Sequence, residues 1–100
     1  MYVAMNRFRI RVGREADFEK IWQERESYLD EVPGFVEFHL LRGPGNEEQT
    51  LYISHSKWES QGAFDAWRHS EAFSKAHASA RSPEGTLLGH PEVETFEVVL

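Results

Sequence analysis

The sequence has 100 residues, 40% apolar and 13% aromatic, with 17 acidic residues against 11 basic ones and a net charge of −6. That length holds one domain, residues 1–100, with one modest core and no room for a separate cofactor domain. The charge balance argues against nucleic acid and anionic membrane as partners, and the absence of Cys excludes disulfides, thiolate metal sites and cysteine nucleophiles.

Residues 2–12, YVAMNRFRIRV, alternate between one face of Tyr2, Ala4, Asn6, Phe8, Ile10 and Val12 and another of Val3, Met5, Arg7, Arg9 and Arg11. Period two with β-branched and aromatic residues predicts a strand. The three arginines stand where a signal peptide needs an apolar stretch, and no apolar run approaches the ~18 residues of a membrane span, so a cytoplasmic protein is expected. Residues 14–32 have helical spacing, with Phe18, Ile21, Trp22, Arg25, Tyr28, Leu29 and Val32 on one side and Pro33-Gly34 as the stop. Residues 35–42 and 50–58 predict two strands of a hairpin, turning at Gly43-Pro44-Gly45-Asn46. From Ser60 the pattern is helical again, with a stripe of Ala63, Phe64 and Trp67. Ser70 is placed to cap a further helix that carries Phe73, Ala76, His77 and Ala80 on one face. Residues 81–91 predict a loop and 93–100 a last strand.

This order is β-α-β-β-α-β with the second helix broken, an α+β ferredoxin-like arrangement with helices on one face of an antiparallel four-stranded sheet. On the opposite face Val3, Met5, Val36, Phe38, Leu40 and Tyr52 are expected, too apolar a surface to stay wet. Face-to-face pairing of two such sheets in a two-fold homodimer would cover it.

Three residues invite a chemical reading. Asn6 shares a face with Ala4, Phe8, Ile10 and Val12. It is either an amide satisfied by backbone or water, or a donor aimed into a pocket between sheet and helices. Trp67, taken alone, is core. His77 has small neighbours, Ala76 and Ala78, and is either a satisfied core or rim histidine or the kind of neutral nitrogen, with flat space beside it, that a haem iron takes. On one continuous helix Trp67 and His77 would stand about 80° apart, so a break near Ser70 is needed for both to face one cavity. No His pair has zinc-helix spacing, and there is no phosphate loop or G-x-S-x-G elbow.

The stretch W-E-S-Q-G-A-F-D-A-W-R-H-S-E-A-F-S-K-A-H over residues 58–77 resembles the characteristic segment of IsdG-type haem-degrading monooxygenases, in the antibiotic-biosynthesis-monooxygenase superfamily. The marks are Trp58 at the strand end, Phe64 and Trp67 as F-x-x-W, and Ser70, Phe73, Ala76 and His77 as S-x-x-F-x-x-A-H, with Asn6 as the early strand amide. The likeness implies a dimeric α+β barrel that binds haem as both cofactor and substrate, opens the ring with O₂ and an electron donor (a reductase or small reductant), and releases iron and a biliverdin-like tetrapyrrole. It implies His77 as axial ligand of the iron, Asn6 as hydrogen-bond donor to a ligand on the iron, and Trp67 as the group that ruffles the porphyrin. Phe8, Trp22, Phe64 and Phe73 would line the pocket and Arg25 would meet a propionate. Superfamily members without the His, Asn and Trp set are cofactor-independent monooxygenases of aromatic polyketides or quinols. The aromatic content here suits those substrates too, and a non-catalytic haem-binding module would need His77 but not Asn6.

Overall fold

Strand β1 (Tyr2–Arg11) lies inside the sheet of the computed structural model, which describes residues 1–24, 29–71, 73 and 85–100. It pairs antiparallel with β3 (Gln49–Trp58) on one side and β4 (Glu92–Glu97) on the other, and β2 (Phe35–Gly45) closes the far edge in the order β2-β3-β1-β4. Helices α1 (Glu15–Glu24) and α2 (Gln61–Arg68) complete the expected ferredoxin-like plan.

Local chemistry accounts for most boundaries. Glu15 and Asp17 stand in the first turn of α1, where anions are favoured, and a Glu15 carboxylate oxygen accepts from the Gly13 N–H at 2.6 Å. The expected helix over 14–32 is shorter: α1 ends at Glu24, and a 3₁₀ turn follows at Leu29–Glu31. Arg25 and Tyr28 lie outside the described residues. Strand β2 runs through Gly43 and Pro44, where a turn was expected, because an edge strand tolerates a missing N–H. The reversal belongs instead to Asn46, whose Oδ1 accepts from the N–H of Glu48 at 2.8 Å and of Gln49 at 2.9 Å. Ser60 caps α2 by accepting from Ala63 N–H at 3.1 Å. The break near Ser70 is present: its hydroxyl donates to Trp67 O at 2.6 Å and accepts from Phe73 N–H at 3.3 Å, so one side chain closes α2 and opens the next turn. Strand β4 ends at Glu97, short of the expected 100.

Register corrects the assignment of the sheet faces. One row crosses all four strands as Leu40, Ser54, Asn6 and Val93, and the next places Phe38 beside Ser56 and Ala4. Phe38, Leu40 and Tyr52 therefore share the helix-covered face with Asn6 and Phe8, not the opposite one. Alternation within a strand fixes two faces but not which matches the neighbour's. Here a bulge between Phe35 and Glu37 inserts Val36 and lets both Phe35 and Phe38 point to the core. The opposite face holds Val3, Met5, Leu41, Leu51 and Ile53, with Phe96 from β4. Arg7 and Arg9 lie on it too, paired with Glu94 and Glu92 of β4 at 3.7 and 3.9 Å.

Beneath the helices the core divides. Ala4, Leu29, Trp58, Phe64 and Trp67 form one cluster, and Phe8, Ile10, Phe18 and Tyr52 form another. Among the described residues no helix is long and apolar enough to cross a membrane.

Candidate functional site

Between the two clusters lies Asn6. Ala4 belongs to the first cluster and Phe8 to the second, so Asn6 occupies the one position of β1 on that face that separates them. Its neighbours across the sheet are Ser54 and Val93, and Ala4 and Ser56 follow in the next row. These are small or short side chains. Large aromatics hang over them from the helical side, and the mismatch leaves a cavity of about 340 Å³, within the ~300–1,000 Å³ of ordinary ligand pockets.

The floor consists of Ala4, Asn6, Ser54 and Ser56. Phe64 and Trp67 of α2, with Phe73 beyond the break, form one wall; Phe18 and Trp22 of α1, with Phe8 and Phe38, form the other. The ring contacts make both walls stiff. Trp67 packs on Trp58 with centroids 5.1 Å apart and takes the edge of Phe73 at 4.8 Å. Trp22 stacks on Phe38 at 5.5 Å and meets Phe8 edge-on at 5.7 Å. Trp58 itself is fully buried and donates its indole N–H to Ser56 Oγ at 3.0 Å, so it is core.

The Asn6 side-chain oxygen is buried and has no hydrogen-bond partner among the described residues. Buried polar groups are satisfied in the large majority of cases, and this oxygen lies on the cavity floor.

A polar cluster behind Phe18 fixes α1 to the sheet. Tyr52 donates its phenolic O–H to Glu19 at 2.5 Å, and Arg42 reaches Glu19 and Glu15 at 3.5 and 3.9 Å. Burial first, and then the bond to Glu19, push the Tyr52 hydroxyl up to about 12. The Glu15 carboxyl is held below its ordinary value by a hydrogen bond from its own backbone N–H, with Gly13, Thr50 and Arg42 adding to the effect against the opposing pull of desolvation.

Of the residues singled out from sequence, Asn6, Phe8, Trp22, Phe64, Trp67 and Phe73 all line the one cavity. His77 and Arg25 lie outside the described residues. Sequence reasoning missed Phe38, Ser54, Ser56 and Arg68 as lining residues. The first three needed the sheet register. Arg68 follows Trp67 directly, and its signal was a lone cation at the end of an aromatic stripe.

A family model described as antibiotic biosynthesis monooxygenase matches residues 1–79. A relative from Mycobacterium tuberculosis named "Heme oxygenase (mycobilin-producing)" is 37% identical over 98 residues, covering 98% of this chain and 89% of the relative. A "Heme-degrading monooxygenase" from Shouchella clausii is 26% identical over 98 residues, covering 98% of this chain and 90% of that protein. Among solved structures, the M. tuberculosis heme-degrader MhuD with two hemes bound in its active site superposes with a TM-score of 0.77 at 33% identity, over 100% of this chain and 97% of that one. SnoaB from Streptomyces nogalater, a cofactor-independent oxygenase, superposes with a TM-score of 0.67 at 21% identity, over 99% of this chain and 93% of that one, a likeness of fold alone.

Proposed function

This chain belongs to the antibiotic biosynthesis monooxygenase family, in its IsdG-type haem-degrading branch, and on that premise we propose that residues 1–100 act as a single haem-oxygenase domain that opens the porphyrin ring and releases iron. The observation that carries the reading is the slot itself, an aromatic-walled cavity with the Asn6 side-chain amide on its floor. The fit to a flat macrocycle rests on the same features. The walls are rings, the floor is short side chains, and the polar floor residues are neutral.

When bound, haem supplies both the iron that uses O₂ and electrons and the ring that is opened. His77 would hold the haem iron. Asn6 orients its amide toward the reacting face, preorganised by two flanking strands, so no reorganisation is needed during reaction. Trp67, held by Trp58 and Phe73, presents a rigid indole that would press against the porphyrin. Phe8, Trp22, Phe64 and Phe73 exclude water from the ring. Arg25 would meet a propionate. The electron donor is a reductase or a small reductant, and the protein works in the cytoplasm as a homodimer. Its open sheet face, with Val3, Met5, Leu41, Leu51, Ile53 and Phe96, supports that assembly.

Haem titration of the purified protein should give a Soret band saturating near one haem per chain. Ascorbate under air should then bleach it, with chelatable iron and a linear tetrapyrrole in the mass spectrum. Haem that binds and survives would leave a carrier. A protein without haem affinity would point to cofactor-independent oxygenation.

A further inference from the structure

The cavity has one charged wall. Among the described residues that line it, Arg68 alone carries a formal charge, and the rest are apolar, aromatic or neutral polar. Arg68 is the last residue of α2. Its guanidinium carbon lies 5.6 Å from the Phe64 ring centroid, over a ring that is itself packed on Trp58 and Trp67 at 5.7 and 6.1 Å. Asp65 and Glu71, three residues to either side, would be the natural ion-pair partners on a helical surface, yet among the described residues no ion pair engages Arg68. The cation is thus seated on an aromatic wall, at the edge of an otherwise uncharged slot, with its fork of donors uncommitted to any described carboxylate.

We propose that Arg68 is an acid anchor: it takes a carboxylate of the bound ligand and makes the cavity selective for flat ligands with an acidic edge. This rests on the porphyrin reading above, where the acid is a propionate. A guanidinium matches a carboxylate with two parallel hydrogen bonds, and ring stacking limits the freedom lost on pairing. The chain as a whole carries −6 and repels a dianionic ligand, so an exposed cation lining the cavity offsets that field locally. A purely structural Arg68 would complement the carbonyl end of α2 and be indifferent to the ligand's charge.

Tryptophan-fluorescence titrations with metal-free protoporphyrin and with its diamide, in which both propionates are carboxamides, test this without turnover. The wild type should bind the diacid about fivefold more tightly than the diamide, the range expected of a partly exposed ion pair. Arg68→Gln should bind the diacid no more tightly than the diamide, and Arg68→Lys should recover part of the preference. Added salt should weaken diacid binding to the wild type and should not weaken it in Arg68→Gln. A wild type that binds both ligands equally, or an Arg68→Gln variant that keeps the preference, overturns the anchor and leaves the porphyrin reading standing. A wild type that binds neither ligand overturns the porphyrin reading, and the anchor with it.

Discussion

A strand amide whose oxygen is buried without a partner costs roughly 1–3 kcal/mol in the ligand-free protein. Asn6 therefore stabilises little when the slot is empty, and Asn6→Ala should leave the thermal midpoint unchanged or slightly raised. The same substitution should retain the Soret band on haem addition yet slow ascorbate-driven bleaching about a hundredfold, the loss typical of one preorganised donor. A melting loss with intact turnover would make Asn6 merely structural. Trp67 is the opposite case, since it is both buried and cavity-lining. Trp67→Phe should cost about 1–3 kcal/mol through lost contact with Trp58 and Phe73, and should slow haem oxidation while binding persists. Stopped-flow decay of the Soret band, beside chemical denaturation, separates the two effects.

At the scale of elements, the attachment of α1 deserves a pH test. The Tyr52 hydroxyl is raised from 10.0 to about 12 in the folded protein, so in the unfolded chain it ionises first. The contribution of the Tyr52–Glu19 bond is fully present below pH 10 and is lost as pH rises through the folded value. Tyr52→Phe should lower stability by about 1 kcal/mol at neutral pH and flatten the decline between about pH 10 and 12, read by urea denaturation across that range. The strands and both described helices were legible from periodicity and stop signals, since each is a local property of a few adjacent residues. Phe18, Phe64 and Trp67 announced their burial the same way. What failed was the matching of one strand's face to the next: Phe38 and Leu40 went to the wrong side because the Val36 bulge resets the phase of β2, and Tyr52 because only hydrogen-bond register shows which face of β3 meets that of β1. Ser54 and Ser56 were lost to the same cause. Arg68 went unremarked because a lone terminal cation is ordinary on a helix until a cavity is seen beside it.

For the whole molecule, the proposed dimer rests on the uncovered sheet face. Leu41 is 44% exposed and Phe96 48%, while Ile53 lies opposite Leu41 and Arg7 in the same row. Two copies pairing through this face would bury those side chains and bring the Arg–Glu pairs of β1 and β4 to the rim. Ile53→Glu should convert a dimer to a monomer in light scattering with the fold intact by circular dichroism. A wild type that is monomeric at all concentrations would remove the dimer from the proposal.

The divided interior has one more consequence. Two half-cores flanking a gap make a protein whose interior is finished only by what it binds, so haem should raise the melting midpoint, with the logarithm of its concentration over Kd. If the ring is then cut open in place, the keystone is destroyed by the arch it supports. The midpoint should fall back as bleaching proceeds, and the loosened halves should let the bent product go without a separate release step. Differential scanning fluorimetry on samples quenched along the reaction would trace that decline.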